Sequence, residues 1–457
     1  MSNVKCDLII RNARIVAEDT VFLGYVGIAE GKIVVMGPGE PNCQADQLVD
    51  AQAMTMLPGA IDTHPHFFEP GAEEREDLEH GTQAAASGGF TTVLDMPNTP
   101  ELPVKDPAAF EWKKERAERK ALIDYAFWGA ATPENMDQFL SLHRLGCVGF
   151  KAFTVDAGPN YPFSDEYHQL KEMEKVASFN GIFGAHAEDR TLVKGFSEEH
   201  GAEPWSLAVH DASRPWLAEL TAINTLLLYA ERTGCKLHIC HMSIPEGAEC
   251  IAEARRRGVD VTVETCAHYL TLNYQDHGYL GTFAMINPPL RSRARMEKLW
   301  DYVLDGTIDY LGTDHAPYLQ EDKIPADGDL RKAACGAPEI DLAIPLLLEE
   351  WVRNRNMSLQ RFAAFTATNA AKRFGLYPRK GVLRVGSDAD FYLADLDTSW
   401  TFSRRNSFSK SRLDKFAHEG RNLHCRVVST WVRGKAVYRD GVITERPGYG
   451  CMIRPEW

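Results

Sequence analysis

Residues 214–243, RPWLAELTAINTLLLYAERTGCKLHICHMS, carry the pattern that decides the fold. The first two thirds are typical of one long helix that ends at Gly234, and the apolar run after it is typical of a short strand. The same order of helix and then apolar strand recurs at residues 108–131, 165–188, 246–270 and 295–317. Repeated units of this kind indicate parallel strands covered by helices. About eight units over roughly 320 residues predict a closed (β/α)8 barrel rather than an open sheet.

The two ends of the chain have a different character. Residues 1–56, and roughly the last 70 residues, contain short β-rich runs that are separated by Asn, Gly and Pro turn signals. Two β-rich ends around a different middle indicate one small domain built from both termini. We therefore expect an α/β protein in which residues 57–384 form the barrel and residues 1–56 and 385–457 form a β-sandwich domain.

The composition limits the classes of protein to which the chain can belong. Of its 457 residues, 44% are hydrophobic and 25% are charged, and the formal net charge is −14. This charge argues against nucleic acid or an anionic membrane surface as a main partner. The sequence has no apolar run long enough to span a membrane and no signal-peptide pattern at its start. Its ten cysteines form no C-x-x-C pair. We therefore expect a cytoplasmic protein with no nucleic-acid or membrane partner.

Side chains that commonly bind metals stand at five of the predicted strand ends. In a parallel barrel the chemistry collects at the C-terminal ends of the strands. The first of these ends carries two histidines one residue apart, which share a face of the strand. In chain order, the full set is His64, His66, Lys151, His186, His241 and Asp314. Their common placement predicts a metal centre in the mouth of the barrel.

Each of these residues, taken alone, has an ordinary structural explanation. A His-x-His pair occurs by chance, and the lysine of a strand end commonly extends to solvent. His186 could be a hydrogen-bonded core histidine, and Asp314 could cap the following helix. The placement of all six at strand ends of one βα series favours a metal site over these separate explanations.

The residue types favour Zn²⁺ or a similar divalent ion, and the absence of cysteine argues against a closed structural zinc site. A bare ammonium at Lys151 would repel a cation. Carboxylation by CO2 would turn this lysine into a carbamate whose two oxygens can bridge two metals. Two ions about 3.5–4 Å apart can hold a hydroxide that is nucleophilic at neutral pH. The sequence therefore predicts two divalent metal ions and a carboxylated Lys151.

Several motifs together resemble the cyclic-amide branch of the amidohydrolase superfamily. They are GAIDTHPHFFEPG at 59–71, GFKAF at 149–153, HAE at 186–188, HICHMS at 238–243, INPPLR at 286–291 and GTDHAPY at 312–318. The resemblance extends through residues 375–397 and 431–441, and so covers nearly the whole chain. This branch contains the dihydroorotases, allantoinases, hydantoinases and dihydropyrimidinases. The resemblance implies a metal-dependent hydrolase of cyclic amides, with a (β/α)8 barrel and a small β-sandwich, that is commonly a homodimer or homotetramer.

The resemblance also implies a division of the ligands between two ions. The ligands of the first ion would be His64, His66 and Asp314. Those of the second would be His186 and His241, with carboxylated Lys151 as the bridge. The bridging hydroxide would attack the scissile carbonyl, and Asp314 would pass its proton to the leaving amide nitrogen.

Further positions match residues that contact the substrate in this family. These are Asn98 in DMPNTP, Asn287 in INPPLR and His315 beside the catalytic aspartate. Asn287 could equally form a plain turn before the Pro pair, and His315 could stand behind the metal ligands. His238, two residues before His241, is interpreted as a packing residue.

Phe68 indicates whether the substrate carries a charge. At this position dihydroorotases typically have an arginine that pairs with the carboxylate of the substrate. A buried carboxylate without a cationic partner is strongly destabilised, so Phe68 favours an uncharged ring of the hydantoin, allantoin or dihydropyrimidine type. The tyrosine that hydantoinases usually carry five residues after the bridging lysine is replaced by Asp156.

Two other functions remain open. DMPNTP and NPPLR are similar to dihydroorotases, which keeps that activity as an alternative. The second alternative is a non-catalytic scaffold of the same fold, although the presence of all six metal-site residues argues against it. Residues 317–339 are rich in turn residues and are expected to shape the pocket.

Overall fold

The computed structural model describes residues 5–158 and 160–456. Before the barrel lie β1 (Lys5–Val16), β2 (Val21–Ala29), β3 (Lys32–Pro38), β4 (Gln44–Asp50) and β5 (Thr55–Pro58). The barrel region contains β6 (Ala60–Asp62), β7 (Phe90–Asp95), β8 (Asp124–Phe127), β9 (Gly129–Ala130), β10 (Phe150–Phe153), β11 (Ile182–His186), β12 (Lys236–Ile239), β13 (Val261–Thr265) and β14 (Tyr310–Leu311). The last strands are β15 (Phe391–Asp395), β16 (Trp400–Thr401), β17 (Asn422–Leu423), β18 (Arg426–Val432), β19 (Lys435–Arg439) and β20 (Val442–Ile443).

The α-helices lie between β6 and β15. They are α1 (Leu78–Ser87), α2 (Pro107–Lys120), α3 (Phe139–Leu145), α4 (Glu166–Ala177), α5 (Arg190–Glu199), α6 (Leu207–Ser213), α7 (Trp216–Thr233), α8 (Pro245–Arg256), α9 (Ala267–Thr271), α10 (Tyr274–His277), α11 (Arg293–Asp305), α12 (Gln320–Lys323), α13 (Ala343–Leu348), α14 (Leu359–Ala363) and α15 (Asn369–Arg373). Short 3-10 or π segments occupy 278–284, 330–332, 349–354, 364–368 and 404–406. Across the described ranges, no helix has both the length and the apolar character needed to span a membrane.

The segment that decides the fold has the predicted local structure. Helix α7 ends at Gly234, which has a left-handed φ of 69° that glycine adopts without steric cost. Strand β12 begins two residues later and is buried along most of its length. The buried residues of α7, among them Ile223 and Leu226, share one hydrophobic core with Leu237 of the strand. Helix and strand therefore form one packed unit of the barrel.

The parallel strands form a (β/α)8 barrel, as predicted. Strands β6, β7 and β8 pair in this order, and β9 to β14 follow in a second run. Strands β8 and β9 share one barrel position, because β8 pairs with β7, β9 pairs with β10, and only Trp128 separates them. The last position closes on the first where the His66 N–H donates to the His315 carbonyl at 2.8 Å. The eight positions bring the strand ends together at one mouth.

A β-rich domain built from both termini accompanies the barrel, again as predicted. Its nine-stranded sheet has the order β20-β19-β18-β15-β5-β1-β2-β3, and β4 pairs with β1. The sheet bends back on itself. A Cβ on Gly31, in the β2–β3 turn, would lie 3.2 Å from Arg433, and one on Gly434 would lie 2.8 Å from Ile28. Ile28 and Trp431 consequently share the core that this bend encloses.

The predicted boundary at residue 385 stays a prediction, because later residues also pack against the barrel region. Phe402 and Leu423 share a small core with Leu342 and Leu346 at α13. Near the C-terminus, residues 451–453 pair with β8, where the Tyr125 N–H donates to the Cys451 carbonyl at 3.1 Å. All ten cysteines of the sequence are free thiols in the structure.

A buried ionic network joins the barrel to the β-rich domain. The Lys380 ammonium, 1% exposed, lies 2.5 Å from Asp124 on β8, 2.6 Å from Asp390 and 3.0 Å from Asp388. Arg433, from the β18–β19 turn, forms a further ion pair with Asp124. These charges are buried away from water, so each of them is stable only while its oppositely charged partners are present.

Replacement of Lys380 by Met should destabilise the protein strongly. It leaves the carboxylates of Asp124, Asp388 and Asp390 buried with one cation fewer, at a cost of about 3–5 kcal/mol in the free energy of unfolding. Urea denaturation followed by circular dichroism measures this loss. Lys372→Met is the matched control, because Lys372 is 50% exposed and pairs with Glu18, and its effect should stay within about 0.5 kcal/mol. Equal effects of both substitutions would contradict a stabilising role of the network.

Candidate active site

A cavity of about 260 Å³ opens at the C-terminal ends of the barrel strands. Eight of the ten residues that the sequence predicts for the site line this cavity, and the two exceptions are Lys151 and His315. Lys151 lies beneath the lining at full burial, in contact with His64. The structure therefore brings the predicted strand-end residues together around one cavity.

His64, His66 and Asp314 form a group of potential metal ligands in the cavity. One nitrogen or oxygen from each lies within 4.8 Å of the others. His66 Nε2 is 3.1 Å from Asp314 Oδ1, and His64 Nε2 is 3.7 Å from the same oxygen. Two imidazoles thus face one carboxylate oxygen, and these are the residues predicted for the first ion.

Lys151, His186 and His241 continue this group across the cavity floor. Lys151 Nζ lies 3.4 Å from His64 Nε2, and the His64 and His241 ring centroids are 4.9 Å apart. His186 Nδ1 is 3.1 Å from His241 Nε2. The six residues therefore form one continuous cluster, while their roles as ligands stay predictions.

Two members of the cluster have unusual backbone conformations. His241 follows β12 with φ 35°, and Asp314 follows β14 with φ 46°. Non-glycine residues seldom adopt this left-handed region, and it persists where the surroundings impose it. At His241 the backbone N–H donates to Glu264 Oε1 at 3.3 Å. The chain thus turns both side chains inward at the ends of their strands.

Glu264, on β13, supports the cluster from behind and was not identified from the sequence. It is fully buried, and its oxygens accept hydrogen bonds from His64 Nδ1 and from the Thr63 hydroxyl. Burial alone would raise the pKa of Glu264, but His64 and His238 hold it well below its usual value. An ionised Glu264 fixes the proton of His64 on Nδ1 and leaves the Nε2 lone pair facing the cavity. The sequence signal was its position near the end of the strand VTVET, one residue before Thr265.

Glu188 performs the same task for His186. His186 Nε2 lies 2.6 Å from Glu188 Oε2, and Arg214 donates from Nε to the other carboxylate oxygen at 3.1 Å. Arg214 and His186 together outweigh the effect of burial and keep the pKa of Glu188 low. The Nδ1 lone pair of His186 is thereby left facing His241.

Three imidazoles of the cluster, those of His64, His186 and His241, are neutral at neutral pH. Burial, assisted by the nearby Lys151 charge, lowers the pKa of His64 to about 4. Burial likewise lowers the pKa of His186 and of His241. Burial would raise the pKa of Asp314, but a hydrogen bond from His66 and the neighbouring imidazoles keep it below its usual value. Neutral imidazoles and an ionised carboxylate are the forms that bind metals.

The donor set therefore fits a divalent metal centre. It offers imidazole nitrogens and a carboxylate oxygen, which are ligands that suit Zn²⁺ and similar ions. The partners behind the imidazoles also fit, because carboxylates behind metal-binding histidines orient them. Among the described residues, the other two groups with metal-like spacing are His64–Cys240–Glu264 and Asp124–Asp388–Asp390. The first shares His64 and Glu264 with the cluster, and Lys380 stands among the carboxylates of the second.

Of the four residues predicted to contact substrate, three line the cavity and one lies behind the lining. Phe68, Asn98 and Asn287 line the cavity. Asn98 Oδ1 is buried without a partner in the described structure, whereas Asn287 Oδ1 lies 3.0 Å from His210 Nε2. His315 lies behind the lining, where its Nδ1 accepts from the Ile340 N–H at 3.3 Å. A substrate contact for each of them stays a prediction.

The comparisons with known proteins agree on one family. The Amidohydrolase family profile matches residues 55–437. The chain is 34% identical over 452 residues to an allantoinase of Rubrobacter xylanophilus, covering 98% of each chain. It is 35% identical over 452 residues to an allantoinase of Deinococcus radiodurans, covering 98% of this chain and 99% of the other. Its structure is similar to the L-hydantoinase (dihydropyrimidinase) of Arthrobacter aurescens, with a TM-score of 0.94, 30% identity and coverage of 98% and 99%.

Replacement of Glu264 by Gln should weaken metal binding by about 10–100-fold, because an amide no longer fixes the proton on His64. Competition with a chelator of known affinity, followed by metal analysis, measures the change. Glu249→Gln, at an exposed position on α8, is the control and should leave the affinity unchanged. A Glu264→Gln protein with wild-type metal affinity would show that the carboxylate does not orient His64.

Proposed function

The chain belongs to the amidohydrolase family and is a metal-dependent cyclic amidohydrolase, and on this premise we propose that it opens an uncharged hydantoin-type ring, first of all that of allantoin. The allantoinases named above match the chain nearly end to end and support this choice. The dihydroorotase alternative requires a cation for the substrate's carboxylate, and the scaffold alternative leaves the ligand cluster without a purpose.

Among the described residues, the cavity lining offers no unpaired cation, and this observation carries the proposal. Phe68 stands at the sequence position where dihydroorotases typically have an arginine. It lines the cavity, and its ring centroid lies 5.3 Å from that of Tyr318. The lining contains one arginine, Arg214, and this residue is already paired with Glu188. A carboxylate on the substrate would be buried there without a free cation, at a cost that an uncharged ring avoids.

Six residues would hold the metal ions. We assign one ion to His64, His66 and Asp314, and a second to His186 and His241, with Zn²⁺ as the proposed metal. When bound, two such ions would activate water and polarise the scissile carbonyl. The chain itself supplies the imidazoles, the carboxylates that orient them and the cavity in which a ring can lie.

A carboxylated Lys151 would connect the two groups of ligands. The residue is fully buried, its Nζ lies 3.4 Å from His64 Nε2, and it forms no ion pair with a carboxylate among the described residues. A buried ammonium without an anionic partner is destabilised, and it would also repel metal ions. Conversion to a carbamate replaces this cation by two anionic oxygens at the centre of the cluster.

Asp314 is the residue best placed to move protons. Its Oδ1 faces both His64 and His66, and the side chain also lines the cavity in which the ring would lie. As an ionised carboxylate it can accept the proton of the attacking water. It can then return this proton to the amide nitrogen that leaves when the ring opens.

A hydantoinase with a preference for apolar substituents is the second candidate. The aromatic rings of Phe68 and Phe153 in the lining favour it, because they offer apolar surface to a ring substituent. A cytoplasmic location and a homodimeric or homotetrameric state accompany either function and stay predictions.

Turnover of a panel of rings tests the proposed function. The zinc-loaded protein is assayed at equal concentrations of allantoin, hydantoin, dihydrouracil and dihydroorotate. Allantoin should have the highest kcat/KM, and dihydroorotate should be slower by about 100-fold or more, because its carboxylate finds no free cation. Phe68→Arg should narrow this gap by supplying one. A wild-type preference for dihydroorotate would contradict the proposal.

Replacement of Lys151 by Ala tests the bridge. The variant should lose binding of the metal pair, and acetate or propionate should restore part of it by supplying the missing oxygens. Metal analysis per chain measures the loss, and a carbamate signal in the 13C NMR spectrum of wild-type protein grown with labelled bicarbonate tests the modification itself. Lys175→Ala, on the exposed side of α4, is the control. Two tightly bound metals in the Lys151→Ala protein would show that the lysine is not a bridge.

A further inference from the structure

Arg214 occupies a position in the cavity that neither metal binding nor proton transfer explains. It lies between α6 and α7, lines the cavity, and has a side chain that is 15% exposed. Two of its three guanidinium nitrogens bind Glu188, with Nε 3.1 Å from Oε1 and Nη2 2.5 Å from Oε2. The described structure shows no hydrogen-bond partner for the third nitrogen, Nη1. Arg214 therefore keeps one guanidinium nitrogen, Nη1, without a partner beside the cavity.

The charge of this arginine is already compensated. Glu188 binds it in a bidentate geometry, which is the strongest arrangement of this ion pair. The same carboxylate also binds His186 Nε2 at 2.6 Å. A carboxylate of the substrate at Nη1 would gain little attraction from Arg214, because Glu188 already compensates its charge. It would also lie close to the anionic Glu188. A neutral carbonyl oxygen meets the need of Nη1 for an acceptor without this repulsion.

The position of Arg214 also indicates which part of the substrate it meets. His186 presents Nδ1 towards His241 and the other ligands, and Nε2 in the opposite direction towards Glu188. Arg214 lies beyond Glu188, and so is separated from His241 and the other ligands by the His186 imidazole and the Glu188 carboxylate. A group that contacts Nη1 while the scissile amide lies at the cluster must therefore project from the ring.

We propose that Arg214 is a specificity-determining residue whose Nη1 donates a hydrogen bond to a neutral carbonyl on the ring substituent, such as the ureido carbonyl of allantoin. This inference rests on the proposed function and deepens it, because it separates ureido-bearing rings from unsubstituted hydantoins. Hydrogen bonds to a charged donor discriminate strongly, since an unpaired buried donor is destabilised when the acceptor is missing.

The test compares allantoin with hydantoin, which has the same ring without the ureido group. In Arg214→Gln, the ratio of the allantoin kcat/KM to the hydantoin kcat/KM should fall by about 10–100-fold relative to wild type. Arg214→Lys keeps a cation next to Glu188 but lacks the forked geometry, so it should lower the same ratio while it retains more hydantoin turnover. Arg257→Gln is the matched control, because Arg257 pairs with Glu231 at 3.2 Å outside the cavity lining and should leave the ratio unchanged.

Two further readouts separate this role from a structural one. If Arg214 only orients Glu188 and His186, both substrates lose the same factor and the metal content falls with them, and this result overturns the proposal. If the wild type opens neither ring, the proposed function fails, and calorimetry then measures binding of both compounds to the zinc-loaded protein without interference from turnover. Tighter binding of allantoin that disappears in Arg214→Gln supports the inference, whereas equal binding of the two compounds to the wild type overturns it.

Discussion

One buried carboxylate, that of Glu264, links the parts of the barrel mouth on which the site depends. It binds His64 and Thr63 after the first barrel strand, and the backbone of His241 after the sixth. It also lies 3.3 Å from His238. A fully buried carboxylate is stable only when its oxygens are satisfied, so these partners are held in fixed positions. The inward turn of His241 and the tautomer of His64 both follow from this single constraint.

Much of the fold and most of the cavity could be predicted because they depend on local patterns and on topology. The helical periodicity of 216–233, followed by Gly234 and an apolar run, specifies a helix and a strand without knowledge of the rest of the chain. Parallel barrel strands then bring their C-terminal ends together. Residues as distant in sequence as His64 and Asp314 were therefore expected to meet, and their side chains lie 3.7 Å apart.

The rest could not be predicted because it depends on contacts between separate elements. Arg214 precedes a helix, and nothing in the spacing of the sequence indicates that it binds Glu188. The interruption of the third barrel strand at Trp128 is equally non-local, since the indole N–H donates to the Thr63 carbonyl at 3.1 Å. Glu264 is a different case. It lies at a strand end, where the rule that identified the histidines also applies, but it stands behind the ligands rather than in the cavity lining.

The pairing of charges around the cavity explains why the ligand motifs alone do not identify the substrate. Arg214 is paired with Glu188 and Arg190 with Asp156, while Phe68 and Phe153 add apolar surface. Such a wall exerts little net field on a ring, so it disfavours an anionic substrate and discriminates weakly among neutral ones. Selectivity among neutral rings must then arise from shape and from single hydrogen-bond donors beyond the metal cluster. In the proposed reaction the cluster would act on the amide that all these rings share, so the choice of ring would fall to residues outside it.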